Sequence, residues 1–592
     1  MRKRTIFLCT ALAAAITTSG TVGAFAGDHD GGFKTGQPAM LTPVMGGVQI
    51  TPLLTVGDVL SSGYRFEAIP DGISVRTQRH GWGRGHRRMV ELFVNHETSK
   101  VPFPYNTLTP TAANGENDFD NAQVSRLTLD QRSAGVLAGS FAISSSSGYQ
   151  RFCSNYLATW RESFTREILF TNEESPDYVY RQEDSWPPTP GSPEEREAGL
   201  VVALDVKTGR HFPIYGMGRH NHENAVPIPG YRRPVVLSGD DTFTSGPLTD
   251  PLNTANKLAP AQSQLYSYIA RSTYGLLADK GDLWAFVSDT PGVKNYYDVA
   301  PGSGTVVTGH FIKVPKDIAT GLNPDGSEMK AADKGYPLPP TDASWQTDLR
   351  SATPVGIDGP QWVLEYWSDI NNVFQFVRVE DIAYDKRPGM GNVVYIVDSG
   401  RGRRVDQTLD TNFRSTNGRV WKMELDKNDP TKVTSLTVFV EGDDNPVQTL
   451  TEIHQPDNIE TTPSGLLLTE DPGSSQQFPV GSVDPNATTA RLWYVPIVDP
   501  AAAQVVAKVD QSADGLGTDV DGRLPGNWGA WESTGIVDAS AAFGPGAFLI
   551  NVQAHTLWVE QAPGDDNNLD GQPDFTYKRE GGQLLLIRIP GA

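Results

Sequence analysis

The chain is short of cysteine, of positive charge and of long hydrophobic runs. Only 2 of its 592 residues are cysteines, Cys9 and Cys153. Cys9 falls in a leader-like N-terminus, so one thiol remains and no intrachain disulfide is available. The fold must then rest on its hydrophobic core or on bound metal. Beyond the leader no apolar run approaches the ~20 residues of a membrane-spanning helix, so no membrane anchor is expected. Lys and Arg number 49 against 70 Asp and Glu, a formal charge of -21. A nucleic-acid backbone or an anionic membrane surface would repel such a chain, whereas cations would be attracted. Several catalytic signatures are also missing: there is no G-x-S-x-G elbow, no H-E-x-x-H helix and no P-loop.

The first residues read MRKRT, then IFLCTALAAAI, then GAFA before GDHD. A basic segment, an apolar segment and a small-residue cleavage site in that order form a signal peptide. Removing Met1 to Ala26 leaves 27–592, expected to be one exported domain, secreted or periplasmic, and still more acidic than the full chain.

What the chain has in surplus is glycine and proline, 59 and 43 residues. Both punctuate turns, which favours many short strands. One pattern recurs: a short apolar run ending in acidic or amide residues. The instances are MVELFVNHE, REILFTNEES, DLWAFVSDT, NVVYIVDSG, GLLLTEDPG and AFLINVQAH. Three of them follow a companion segment: FVRVEDIAYD, HQPDNIETTP and WESTGIVDAS. A strand, a turn and a second strand is the simplest reading. Further strands between these pairs bring each repeat to about four. Four-stranded units repeated radially are the blades of a propeller, so the expected fold is all-β, a β-propeller of about six four-stranded blades with long loop insertions.

The acids mark where chemistry would sit. Glu97, Glu173, Glu174, Asp398, Glu470 and Asp471 end successive runs, and in a propeller those ends converge at one mouth of the axis. Carboxylates brought together repel unless cations neutralise them, and their oxygens suit hard ions such as calcium. GRHNHENA adds Arg219, His220, His222 and Glu223 to the candidates. In FVRVEDI, Arg378 and Glu380 are two apart, hence on one strand face; a guanidinium there could hold phosphate beside a metal-binding carboxylate. Near the C-terminus Asp566, Asn568, Asp570 and Gly571 follow a calcium-loop pattern, but Tyr577 stands where its bidentate Glu belongs.

In this order the motifs resemble the PhoX-type secreted alkaline phosphatases, a β-propeller family using calcium and iron. The matching segments are VNHE at Val94 to Glu97, the Cys153 region ending in FTNEES, GRHNHENA at Gly218 to Ala225 and SGDD at Ser238 to Asp241. RVED at Arg378 to Asp381, QPDNI at Gln455 to Ile459, WESTG at Trp531 to Gly535 and NVQAH at Asn551 to His555 complete the series. The resemblance implies hydrolysis of a small phosphomonoester at a calcium and iron cluster on the propeller axis. Residue by residue it implies Cys153 as the iron-ligating thiol, Glu173, Glu223, Glu380, Asp457 and Glu532 as further metal ligands, and Arg378 as the phosphate-binding arginine. The chain departs from the family pattern in two places. SNYLATWRESFTREILFTNEE lacks the usual glycines, with Asn172 where a second cysteine would lie, and Val379 replaces a proline between Arg378 and Glu380. A calcium propeller acting on lactones or other esters, a phytase-like enzyme and a non-catalytic binding propeller are the alternatives. A monomer is expected, with neither nucleic acid nor membrane as partner.

Overall fold

The computed structural model describes residues 31–78, 89–99, 103–106, 122–175, 178–179, 196–242, 262–339, 357–400, 417–442, 450–472, 488–511, 531–560 and 575–592. The segment expected to be a signal peptide and most of the C-terminal calcium-loop pattern lie outside them. Antiparallel meanders repeat along the chain, each beginning with a strand that starts a sheet: Pro70–Gln78, Phe152–Ala158, His222–Pro227, Val379–Tyr384, Pro456–Thr461 and Glu532–Asp538. Each of these six inner strands packs against the next, and the last returns to the first, so they close a ring. The all-β propeller is therefore the fold. The division into about six separate blades needs correction: four stand as separate sheets of four or five strands, and the third and fourth meanders merge in one nine-stranded sheet. The merger is made at the outer edge, where Val307–Lys313 pairs with Lys432–Glu441.

The two ends of the described chain complete the ring together. Gln49–Thr55 pairs with Phe575–Arg588 as the outer strand of the last blade, and Leu41–Pro43 edges the preceding one against Gln504–Val509. Strand burial follows position. The second strands, such as Ile168–Glu173, Val393–Asp398 and Gly465–Glu470, are buried along their whole length, because a neighbouring blade covers each face. Such strands read as unbroken apolar runs rather than alternating ones. The outer strand Val307–Lys313 alternates instead, with one face in water. Between blades the core is aromatic; Trp421 meets Phe376 edge-on at 5.7 Å and 85°, a geometry that the ring quadrupoles favour.

Among the described residues the longest helix to interrupt the β pattern is Pro360–Ile370. Gly359 caps it and Pro360 opens it, a position where the missing N–H costs nothing. It buries Trp362, Val363, Leu364 and Trp367, residues that in isolation look like another strand. Among the described residues no helix is long and apolar enough to cross a membrane.

Every inner strand carries a register shift in its pairing with the second strand, between Pro70 and Ile73, Phe152 and Asn155, His222 and Ala225, Val379 and Ile382, Pro456 and Ile459, and Thr534 and Val537. At each shift two residues of the inner strand oppose one of its partner. Such bulges bend a strand and re-aim its side chains, and here they recur at the same end of the ring. Gly72, the second bulge residue of the first inner strand, lies against the next blade: a Cβ there would stand 2.3 Å from the Asn155 backbone nitrogen. Gly72→Ala is expected to cost about 1–3 kcal/mol through overpacking and to lower the melting temperature by several degrees. Gly36→Ala, with open space around the added methyl, should leave it unchanged. Equal melting curves for the two variants would contradict this close packing.

Candidate metal centre

The bulges determine what faces the axis. Five of the six inner strands place an acid or a thiol at the first bulge residue: Asp71, Cys153, Glu223, Glu380 and Asp457. In the sixth the bulge falls on Gly535 and Ile536, and Glu532 contributes from the start of the strand instead. The second strands add the residue just beyond their ends, Glu97, Glu174, Asp241 and Asp471. All but Asp241 line one cavity of about 90 Å³, together with Arg151, Arg378, Gln553 and His555.

The ligand atoms are close enough to share ions. Asp71, Glu97 and Cys153 bring theirs within 4.8 Å of one another, and so do Cys153, Glu174 and Glu223. Glu174, Asp241 and Glu380 form a third such group, and Glu223, Glu380 and Asp457 a fourth. Neighbouring groups share members, so the cluster is continuous around the axis. The Cys153 thiol lies 2.7 Å from Asp71 Oδ2 and 3.0 Å from Glu223 Oε2.

Below this layer the second bulge residues form a polar floor. Ser154 Oγ donates to Glu223 Oε1 at 2.7 Å, and Asn458 Nδ2 donates to the same oxygen at 3.3 Å. Asn224 donates to Asp381, whose other oxygen accepts the Ile459 backbone N–H at 3.1 Å. Asn458 Oδ1 accepts the Gly535 backbone N–H at 2.5 Å and lies 2.6 Å from Thr534 Oγ1. These contacts cross from blade to blade and hold the first layer in place.

Burial and like charge together push the carboxylates toward their protonated forms. Asp71 rises to about 7, chiefly through burial and then through Glu97, with hydrogen bonds from Cys153 and Thr534 opposing. Glu532 rises to about 8 through burial and Asp471. Glu174, Glu223, Glu380 and Asp457 all rise well above the ordinary range, burial first in each case. Burial and the surrounding carboxylates likewise push the Cys153 thiol up. Burial works against the imidazolium of His555, but Glu580 and Glu532, at 2.8 and 3.2 Å, outweigh it and raise that group.

The residues fit metal ions. Buried carboxylates at these separations cannot all ionise without positive charge, and Arg151, Arg378 and His555 are too few to supply it. Oxygen donors of this number suit calcium, while the thiolate of Cys153 would suit a softer transition metal such as iron.

The structure brings together most of the residues expected from sequence: Cys153, Glu223, Glu380, Asp457, Glu532 and Arg378 all line the cavity. Glu173 is a correction. Its carboxylate binds both terminal nitrogens of Arg196, at 2.5 and 2.7 Å, and accepts the backbone N–H groups of Gln150 and Leu200. Successive side chains of a strand point to opposite faces, so Glu174 enters the cavity and Glu173 turns into the blade. The same alternation removes Glu470, which is paired with Arg491 at 2.8 Å. It also removes Asp398, which caps the backbone at Val377, Arg378 and Gly400. Arg219, His220 and His222 also lie outside: Arg219 pairs with Glu328 at 2.9 Å, and His222 Nδ1 lies 2.7 Å from Ser238 Oγ.

Two members of the site escaped the sequence reading, and each has a visible signal. Asp71 follows Pro70 as Asp457 follows Pro456, at the same point of an inner strand. Arg151 stands two residues before Cys153 as Arg378 stands two before Glu380.

The raised carboxylates give a signed pH dependence. Their protonation in the folded state stabilises the metal-free protein fully only below about pH 3.5, under the unfolded values of both Asp and Glu, and this contribution is lost as pH rises through about 7 to 8. The raised His555 acts in the same direction. The melting-temperature difference between metal-loaded and chelated protein is therefore expected to be small near pH 5 and large at pH 8. A difference independent of pH across that range would contradict the cluster's electrostatics.

No family model and no curated protein matches this chain, so its activity has to be read from the geometry of the axial cluster.

Proposed function

We propose that the protein is an exported, metal-dependent phosphomonoesterase whose axial cluster receives the phosphoryl group of a small phosphoester. The observation that carries this reading is a thiol and carboxylate cluster with an orientation-fixed guanidinium, that of Arg378, in its wall. Arg378 donates through Nε and Nη2 to Asp241, at 2.7 and 2.5 Å, and lies 3.3 Å from Glu380. Asp241 thus holds the guanidinium plane at the cavity edge, where a planar fork recognises phosphate oxygens better than a point charge does.

Cys153 with Asp71, Glu97, Glu174 and Glu223 would hold the softer ion, and Glu174, Glu223, Glu380, Asp457 and Asp241 would hold calcium. Bound cations would supply Lewis-acid polarisation of the phosphoryl oxygens. The remaining work falls to the protein. Arg378 orients the phosphoryl group and stabilises charge on its equatorial oxygens as the bond to the leaving group breaks. The polar floor of Ser154, Asn224, Asp381 and Asn458 closes the cavity from beneath. A volume of about 90 Å³ suits ions and a phosphoryl group but not an organic body. The leaving group would lie outside, which favours a broad range of alcohols.

The test is a substrate panel of phosphomonoesters, a phosphodiester, phytate and a lactone, assayed before and after chelation, with Arg378→Lys alongside. The lysine keeps a positive charge beside Asp241 and Glu380, so no buried carboxylate loses its counter-charge. Phosphomonoesters are expected to be turned over only with metal present. Arg378→Lys should lower kcat/KM about 10²–10³-fold with little change in melting temperature. Preference for the lactone, or an Arg378→Lys enzyme of full activity, would overturn the reading.

A further inference from the structure

A second pocket opens at the other end of the inner strands. Its volume is about 540 Å³, within the range of sites for small organic ligands. The inner strand Val379–Tyr384 begins at the axial cluster and runs away from it, so Tyr384 and the turn that follows reach the opposite face. Three neighbouring blades meet there. The turn after the second inner strand brings Arg161, the turn after the third brings Tyr231, the turn after the fourth brings Lys386 and Arg387, and a hairpin of the same blade brings Lys427.

The charge balance of this pocket is opposite to that of the chain. Four cationic side chains line it against a single acid, Asp385, in a protein of net charge -21. Asp385 is consumed by Arg387, with Arg387 Nη2 at 2.6 Å, and Lys386 lies 2.5 Å from Glu460. Arg161 and Lys427 are exposed and make no ion pair among the described residues. The walls between the charges are apolar and fixed in place. Tyr384 is anchored through its hydroxyl to Glu162 at 2.7 Å, and Tyr231 through its hydroxyl to the Asp426 carbonyl at 2.8 Å. Both rings are nearly buried, so the pocket is pre-formed and little ordering would be required on binding.

We propose that this pocket binds a small organic oxyanion, its charged group held between Arg161 and Lys427 and its apolar body against Tyr231 and Tyr384. The site is separate from the axial cluster and does not depend on what the cluster does. Guanidinium and ammonium groups pair with phosphate-type oxygens, and the tyrosine walls select a ligand with a ring or similar body over a bare ion.

Phenylphosphonate is a suitable probe, since its P–C bond resists hydrolysis. Isothermal titration of the metal-loaded protein at low salt is expected to show binding that weakens at least tenfold in Arg161→Glu/Lys427→Glu. Both substituted side chains are exposed, so the fold and any phosphomonoester turnover should be unchanged, and Arg378→Lys should leave this binding intact. The inorganic phosphate binding that depends on Arg161 and Lys427 should be weaker than that of phenylphosphonate, and binding that survives in the charge-reversed variant belongs to the axial cluster. The proposal is overturned if wild-type protein does not bind phenylphosphonate, if the charge-reversed variant binds it equally well, or if the inorganic phosphate binding lost in that variant is as tight.

Discussion

Mutual repulsion among carboxylates on the propeller axis is the constraint on which the rest of the structure depends. A ring of inner strands delivers Asp71, Glu223, Glu380 and Asp457 from four of its members and Cys153 from a fifth. The second strands add Glu97, Glu174, Asp241 and Asp471 from just past their ends. Buried together, such groups raise the free energy of the folded state unless they stay protonated or take up cations. The fold withstands this because the blades around the axis are buried on both faces, and because the polar floor below the cluster ties neighbouring blades together through Asn224, Asp381 and Asn458. A closed ring also has no spare register: a slip of one inner strand would turn its axial side chain into a blade.

The strands themselves were the most legible part. Second strands covered on both faces leave unbroken apolar runs such as VVYIVD and GLLLTE, and those runs repeat once per blade. The merger of two blades through Val307–Lys313 was not legible, since edge pairing between outer strands depends on their spatial proximity and leaves no pattern in either strand. The helix Pro360–Ile370 was hidden for a related reason: with aromatic residues buried on several sides, its periodicity is blurred.

The site was legible to within one residue. Acid pairs such as Glu173–Glu174 and Glu470–Asp471 mark the right strand ends, but only the pleat decides which member faces the axis. In both pairs the first member turns back to an arginine of its own blade, Arg196 or Arg491, and the second faces the cavity. The bulges were not legible either, because a bulge is a relation between two strands. Once they are seen, Asp71 and Asp457 fall at equivalent places, and so do Cys153, Glu223 and Glu380.

The most direct test of the central claim is the metal content of natively produced protein, measured by elemental mass spectrometry and located by anomalous diffraction. The account predicts calcium on the axis among Glu174, Glu223, Glu380 and Asp457, with a transition metal, iron in the simplest case, against the sulfur of Cys153. Natively produced protein with no metal on the axis, and with a melting temperature at pH 8 that added calcium or iron does not raise, would contradict it, because the carboxylates would then need no cations to offset their burial.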